Sequence, residues 1–256
     1  MTISKANTKH KTRVFIDFEA ITNPFAKIIK IENSTPYCYT LGFQAEHGIF
    51  KSRTYVMNFK NKKNFYETLR LQIKKDIKKI NPKIKIQDVE FVGHNPVLEN
   101  KCLKRLFPKN KVIPLISQQT ISLSILTRKQ FKKQYFSEIK EIIRQKSKHN
   151  VFKNRILSNN GAIASYVGFL LFCKENNFET TKHYYTEINK QLLVKELKEY
   201  SHDDVWKMEY VNKHLEEVDM WLKDINHRRE LIKQLNALEL DENMTIKELK
   251  DRIWDI

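Results

Sequence analysis

Two carboxylates, Asp17 and Glu19, close the apolar stretch VFIDFEA at residues 14–20. On a strand, residues two apart face the same side of a sheet, so these acids would stand side by side. Like charges at that range repel unless a cation offsets them. A third acid, Glu99, falls in the first turn of a helix after GHNP (93–96), and YSHDD (200–204) sets Tyr200 and Asp204 four apart, on one face if helical. Each has a plainer reading: an acid in a first turn satisfies the helix dipole, Ser201 or Asp203 can cap the helix running through Trp206, and His94 and Asn95 are turn residues satisfying backbone groups. As a set, four carboxylates at one sheet edge suit two hard divalent cations, magnesium or manganese, with positions left for phosphate and water. That is the chemistry of two-metal phosphodiester hydrolysis, and a tyrosine hydroxyl beside the attacking water can orient it.

These residues need elements to position them. Arg13 to Phe18 reads as a first strand, with YCYTLGFQ (37–44) and TYVMNF (54–59) as antiparallel successors. Phe65, Leu69, Ile73, Ile77 and Ile80 recur at helical spacing opposite Lys74, Lys75, Lys78 and Lys79, and Pro82 stops that helix. DVEFVGHN (88–95) is a short strand entering a polar turn, and VLENKCLKRLF (97–107) a helix, an order that predicts a parallel addition to the sheet. A weaker strand-then-helix signal spans residues 112–126. Between Arg128 and Arg155 the chain reads as an inserted basic helix whose Phe131, Tyr135, Phe136 and Phe152 either pack it down or stack on bases. An apolar helix over 159–177, a helix interrupted and resumed within 192–218, and two amphipathic C-terminal helices complete the pattern; Thr245 and Glu248 mark the last start.

The class is therefore α/β, with three antiparallel strands, then parallel ones, flanked by helices. Composition bounds the partners. With 47 Lys and Arg against 30 Asp and Glu, the net charge is +17, which favours polyanions, nucleic acid first. Cys38, Cys102 and Cys173 form no CxxC pair and predict neither a disulfide framework nor a thiolate zinc site. The polar start and the absence of a long apolar run predict a cytoplasmic protein without a membrane partner.

FIDFE, GHNPVLE and YSHDD resemble, in order and spacing, the three motifs of the DEDD (DnaQ-like) 3′-to-5′ exonucleases, over about Arg13 to Val211. Tyr-x-x-x-Asp is similar to the DEDDy branch, and the wider context looks most like an uncharacterised bacterial subfamily. The resemblance implies a ribonuclease H-like fold and 3′-to-5′ exonuclease activity on single-stranded DNA or RNA. It implies that Asp17 bridges two metals, Glu19 and Asp204 complete the first site, Glu99 supports the second and Tyr200 orients the water. Glu99 stands where the family has Asp, and Gln119 where relatives often have Asp. The expected organisation is a mobile basic segment at 1–12, an exonuclease-like domain at 13–222 with its basic insert at about 127–155, and a helical extension at 223–256. Lys129, Lys132, Lys133, Arg144, Lys146 and Lys148 are expected to guide the nucleic acid. The competing expectation is a catalytically silent nucleic-acid-binding or partner-binding protein that retains the fold.

Overall fold

Ten residues, Thr12–Ile21, form the central strand β1 of a five-stranded sheet in the computed structural model, which describes residues 11–45, 48–60, 64–117, 121–147, 149–178, 184–237 and 244–254. Strands β2 (Thr35–Gln44) and β3 (Phe50–Val56) follow as antiparallel neighbours, and β4 (Val89–Gly93) and β5 (Val112–Pro114) add in parallel on the other side. The order is β3-β2-β1-β4-β5. This is the expected α/β arrangement of antiparallel strands followed by parallel ones. The third strand begins earlier and ends earlier than its aromatic residues suggest, because Ser52, Arg53 and Thr54 continue the ladder against Gly42, Leu41 and Thr40.

Register divides the side chains between the two faces. Asp17 pairs with Thr40 and Glu19 with Cys38, so these four share one face. On the other face lie Val14, Ile16, Phe18, Tyr37, Tyr39 and Leu41, all buried. That apolar face is covered by α2 (Phe65–Ile80), where Asp76 accepts from the Tyr39 hydroxyl at 2.7 Å, and by α7 (Asn160–Asn176), where the carbonyl of Ala164 accepts from the Tyr37 hydroxyl at 2.5 Å. Gly168 permits the close approach of α7: a Cβ there would lie 2.5 Å from Tyr37 Cε1 and 2.8 Å from Ile21 Cγ1. The acidic face is covered by α8 (Lys190–Lys213), docked by Ser201 Oγ on Thr40 Oγ1 at 2.9 Å.

Between these elements come α1 (Phe25–Ile28), α3 (Val97–Leu106) and α4 (Leu123–Leu126). The basic segment is not one helix. Residues 128–136 are non-helical, and two helices follow, α5 (Ser137–Lys146) and α6 (Asn150–Leu157). The break is anchored by Tyr135 and Phe136, both buried, with Phe136 at φ +58°, a conformation that a continuous helix cannot hold. Phe152 is buried too, which favours packing over base stacking for three of the four aromatics. YSHDD also departs from expectation, since α8 runs through it unbroken and the chain turns only at His214. Ser201 and Asp203 cap nothing there, because Thr40 and Tyr135 engage them.

The chain forms two compact units, Met1–Tyr210 and Val211–Ile256. The second carries α9 (Leu215–Ala237) and α10 (Ile246–Trp254); Thr245 Oγ1 accepts from the Glu248 N–H at 3.3 Å and Glu248 accepts from the Thr245 N–H at 2.8 Å, the reciprocal cap its sequence predicts. Among the described residues no single helix is long and apolar enough to cross a membrane. Of the basic N-terminal segment, residues 1–10 lie outside the described residues, and Thr12 already belongs to β1.

Candidate functional site

The carboxylates converge. One oxygen each from Asp17, Glu19 and Asp204 lie within 4.8 Å of one another. The strand period sets Asp17 and Glu19 side by side at the carboxyl end of β1, and the Ser201–Thr40 contact fixes the turn of α8 that presents Asp204 to them. Glu99 and Tyr200 line the same cleft, of about 440 Å³, together with His94, Asn95 and Lys101. All five acid and tyrosine positions singled out by sequence therefore border one space.

Glu99 reaches the cleft from the first turn of α3, past Gly93. A Cβ on Gly93 would lie 2.9 Å from Pro96 Cβ and 3.3 Å from Glu99 Cγ, so the glycine makes room for the turn and its acid. Glu99 Oε1 accepts from the Phe18 N–H at 3.4 Å, which ties it to β1 between the other two acids. Asn95 takes the left-handed conformation, φ +48°, that asparagine tolerates at a turn, and the His94 ring bonds the Ile121 carbonyl through Nε2 at 2.8 Å. Both therefore shape the turn.

Electrostatics give the cluster its character. Asp17 is held well above the usual carboxylate range, first by burial and then by Glu19, Asp204 and Glu99, with Lys207 opposing. Burial and the repulsion of Asp204 and Glu99 push Glu19 up to about 8. Burial raises Glu99 to about 7 despite hydrogen bonds from its own N–H and that of Phe18. Asp204 is raised by burial, against which Lys207 and Tyr200 act. Such a set of oxygens, crowded, buried and reluctant to ionise together, fits a hard divalent cation. Three acidic side chains, Asp17, Glu19 and Asp204, could hold a metal ion here.

Sequence reasoning missed Lys207. Its side chain is 1% exposed, and Nζ lies 2.7 Å from Asp204 Oδ1 and 4.6 Å from the Tyr135 ring centroid. It is a buried cation at the back of an acidic site. The only available signal was its position one turn after Asp204, which in an amphipathic helix reads as surface. Tyr135, which bonds Asp203 at 3.1 Å, and Phe136 bring the basic segment onto Tyr200, with ring centroids 5.4 and 5.1 Å away.

The expected nucleic-acid-guiding side chains are mixed. Lys129, Lys132, Lys133, Arg144 and Lys146 are exposed, but Lys133 pairs with Glu199 at 2.9 Å and Arg144 with Glu141 at 3.5 Å. Lys148 lies outside the described residues, as do Gln119 and Thr120. A second cleft shares Phe18, Glu19 and Leu98 with the first and continues to Arg155 and the start of α7 at Gly161 and Ala162. The carboxylate cleft thus has a neighbouring cleft that Arg155, Asn23 and Asn159 line.

Nearby, Ser52 Oγ lies 3.1 Å from His202 Nε2, and His202 Nδ1 lies 3.4 Å from Asp203 Oδ1. The arrangement is structural. Trp206 Nε1–H donates to His202 Nε2 at 2.8 Å and occupies the lone pair that a general base would use. No protein-family model matches the chain, and no curated protein matches it.

Proposed function

We propose that the protein is a metal-dependent 3′-to-5′ exonuclease of the DEDDy type, acting on single-stranded DNA or RNA. The observation that carries this reading is the convergence of Asp17, Glu19 and Asp204 within 4.8 Å in a cleft that Glu99 and Tyr200 also line. Support also comes from the mixed sheet, whose antiparallel strands followed by parallel ones agree with what a ribonuclease H-like fold, implied by the motifs, would require.

In this reading Asp17, Glu19 and Asp204 would hold the cations, magnesium or manganese, and Glu99 would support the second. Bound divalent cations neutralise the carboxylates and stabilise charge on the attacking and leaving oxygens of phosphodiester hydrolysis. Tyr200 is suited to orient water rather than to exchange a proton: burial and the surrounding acids hold its phenol well above its usual range, so it stays protonated and donates. Lys207 donates to Asp204 Oδ1 at 2.7 Å and so holds that carboxylate in place. The neighbouring cleft at Arg155 would give a strand room to lie beside the acids, and the exposed lysines of the basic segment would contribute affinity without sequence readout.

One observation favours a second reading, a silent nucleic-acid-binding protein. Asp204 already has an ammonium partner and Glu99 a backbone one, so both acids have counter-groups without metal. A single experiment separates the two. With 5′-labelled single-stranded DNA and RNA and magnesium or manganese, the exonuclease produces a ladder shortening from the 3′ end, abolished by EDTA and by Asp17→Ala. Intact oligonucleotide in every lane, with binding retained, refutes catalysis and leaves the binding protein.

A further inference from the structure

A further concavity lies away from the carboxylates. The C-terminal half of α2 and the segment that follows it enclose a groove of about 1000 Å³. Lys74, Lys75, Lys78, Lys79 and Lys85 stand along it, all exposed except the half-buried Lys74. Among the described residues none of these five has an ion-pair partner, whereas Asp76, the acid of this part of α2, is turned inward to Arg53 at 3.0 Å and Tyr39. The floor between the ammonium groups is apolar: Ile77, Pro82, Ile84 and Ile86. No acid lines it.

The groove is remote from the carboxylates. Its last residues, Ile84 to Gln87, are separated from β4 by Asp88 alone, and Val89 at the start of β4 is level with Thr12 at the start of β1. The acids lie five and seven residues further along β1, roughly 17–23 Å away at about 3.3 Å per residue. The two sites therefore occupy opposite ends of the same sheet.

We infer that this groove is a second binding site for single-stranded nucleic acid, holding the phosphate backbone by its lysines while sugars and base faces lie on the apolar floor. The inference rests on the nucleic-acid part of the function proposed above and not on cleavage. Lys74 and Lys78, and likewise Lys75 and Lys79, are one turn apart, so the rim presents paired charges about 6 Å apart along α2. Groups of this kind follow a flexible polyanion without reading its bases: the groove offers no arginine fork and no side-chain amide beyond Gln87. An anionic bilayer would meet the rim but leave the concave floor unfilled. A strand whose 3′ end enters the carboxylate cleft would have its 5′ portion held here, which would keep a partly degraded strand on the protein.

The test is equilibrium binding of a fluorescent 30-residue oligothymidylate, in EDTA so that no cleavage occurs, across a range of salt. The comparison is wild type against the combined variant Lys74→Gln, Lys75→Gln, Lys78→Gln and Lys79→Gln, with folding checked by circular dichroism. Each phosphate contact on a single strand contributes about 0.7 to the salt slope, so losing four flattens it by about 2.8; between 50 and 200 mM salt the wild type then loses about 50-fold more affinity than the variant. An unchanged slope overturns the site. So does a variant that keeps its oligonucleotide affinity but no longer binds phosphatidylserine vesicles or polyglutamate, which would give the groove to a membrane or to an acidic protein. Wild-type binding through the groove without any cleavage in magnesium would refute the exonuclease while sustaining the groove.

Discussion

Replacing Lys207 with methionine tests the electrostatic account of the site most directly. The side chain is 1% exposed and its ammonium lies 2.7 Å from Asp204, whose own side chain is 14% exposed. Methionine keeps most of the volume and removes only the charge. Breaking a buried ion pair from one side costs about 3–5 kcal/mol, because the remaining charge is left uncompensated. Here that charge belongs to a cluster already short of cations, so at pH 8 in EDTA we expect a loss of about 3 kcal/mol in urea unfolding, a large share of the total stability of an ordinary domain. Two conditions should restore it. Acid allows Asp204, which burial already raises above the usual carboxylate range, to take up a proton, so the loss shrinks as pH falls. A divalent cation that binds only the folded state contributes about 2.7 kcal/mol at 100 times its dissociation constant. Adding Asp204→Asn to Lys207→Met should cost less than the sum of the two single changes, since the pair is removed as a unit. A loss that is the same at every pH, with or without magnesium, and additive with Asp204→Asn would refute the reasoning and reduce Lys207 to packing.

Three further outcomes follow from the same geometry. Glu19 is raised to about 8 from an ordinary carboxylate value near 4.5, so the folded protein binds its proton more tightly than the unfolded chain. Its contribution to stability is full below about pH 4.5 and lost as pH rises to 8; the EDTA-treated wild type should melt progressively lower over that range, and Glu19→Gln should flatten the decline. Tyr200→Phe keeps the ring on Tyr135 and Phe136 but removes the hydroxyl, so kcat for oligonucleotide degradation should fall by about ten- to a hundredfold with KM little changed; a change confined to KM would deny Tyr200 its part in orienting water. Gly168→Ala drives a methyl group into Tyr37 and Ile21, and a loss of about 1–3 kcal/mol in thermal or urea unfolding is expected; a neutral result would mean that α7 can lift from the sheet.

The acid set was legible because each member obeys a local rule. The two-residue period joins Asp17 to Glu19, the four-residue period joins Tyr200 to Asp204, and the strand–turn–helix order brings Glu99 to the end of the sheet. The misread segments are those where tertiary contacts override such rules. YSHDD reads as a helix start because serine and aspartate favour caps, yet the Ser201 hydroxyl is bound to Thr40, 161 residues away, and Asp203 to Tyr135. Residues 128–136 read as helix from their lysine content, but Tyr135 and Phe136 are spent on the core against Tyr200 and hold the chain out of helical geometry. Lys207 was invisible for the same reason, since what buries it is an aromatic ring from a segment far away in sequence.

The distribution of counter-groups tells which carboxylates a cation would serve first. Asp204 has the Lys207 ammonium, and Glu99 has two backbone N–H groups, its own and that of Phe18. Glu19 has only a hydrogen bond with Asp17 against the repulsion of Asp204 and Glu99. Asp17 is repelled by all three other acids and relieved by Lys207 alone, at longer range than Asp204 is. The unrelieved charge therefore sits on β1, the central strand, where Asp17 and Glu19 are held in the ladder to Thr40 and Cys38 of β2 just beyond the stretch, Thr12 to Phe15, that pairs with β4. A rigid strand that holds two acids together, with the helix-borne acids partly neutralised around them, is pre-organised for a cation at Asp17 and Glu19. It follows that Asp17→Asn should reduce cation affinity more than Glu99→Gln does, and isothermal titration with manganese would measure that order.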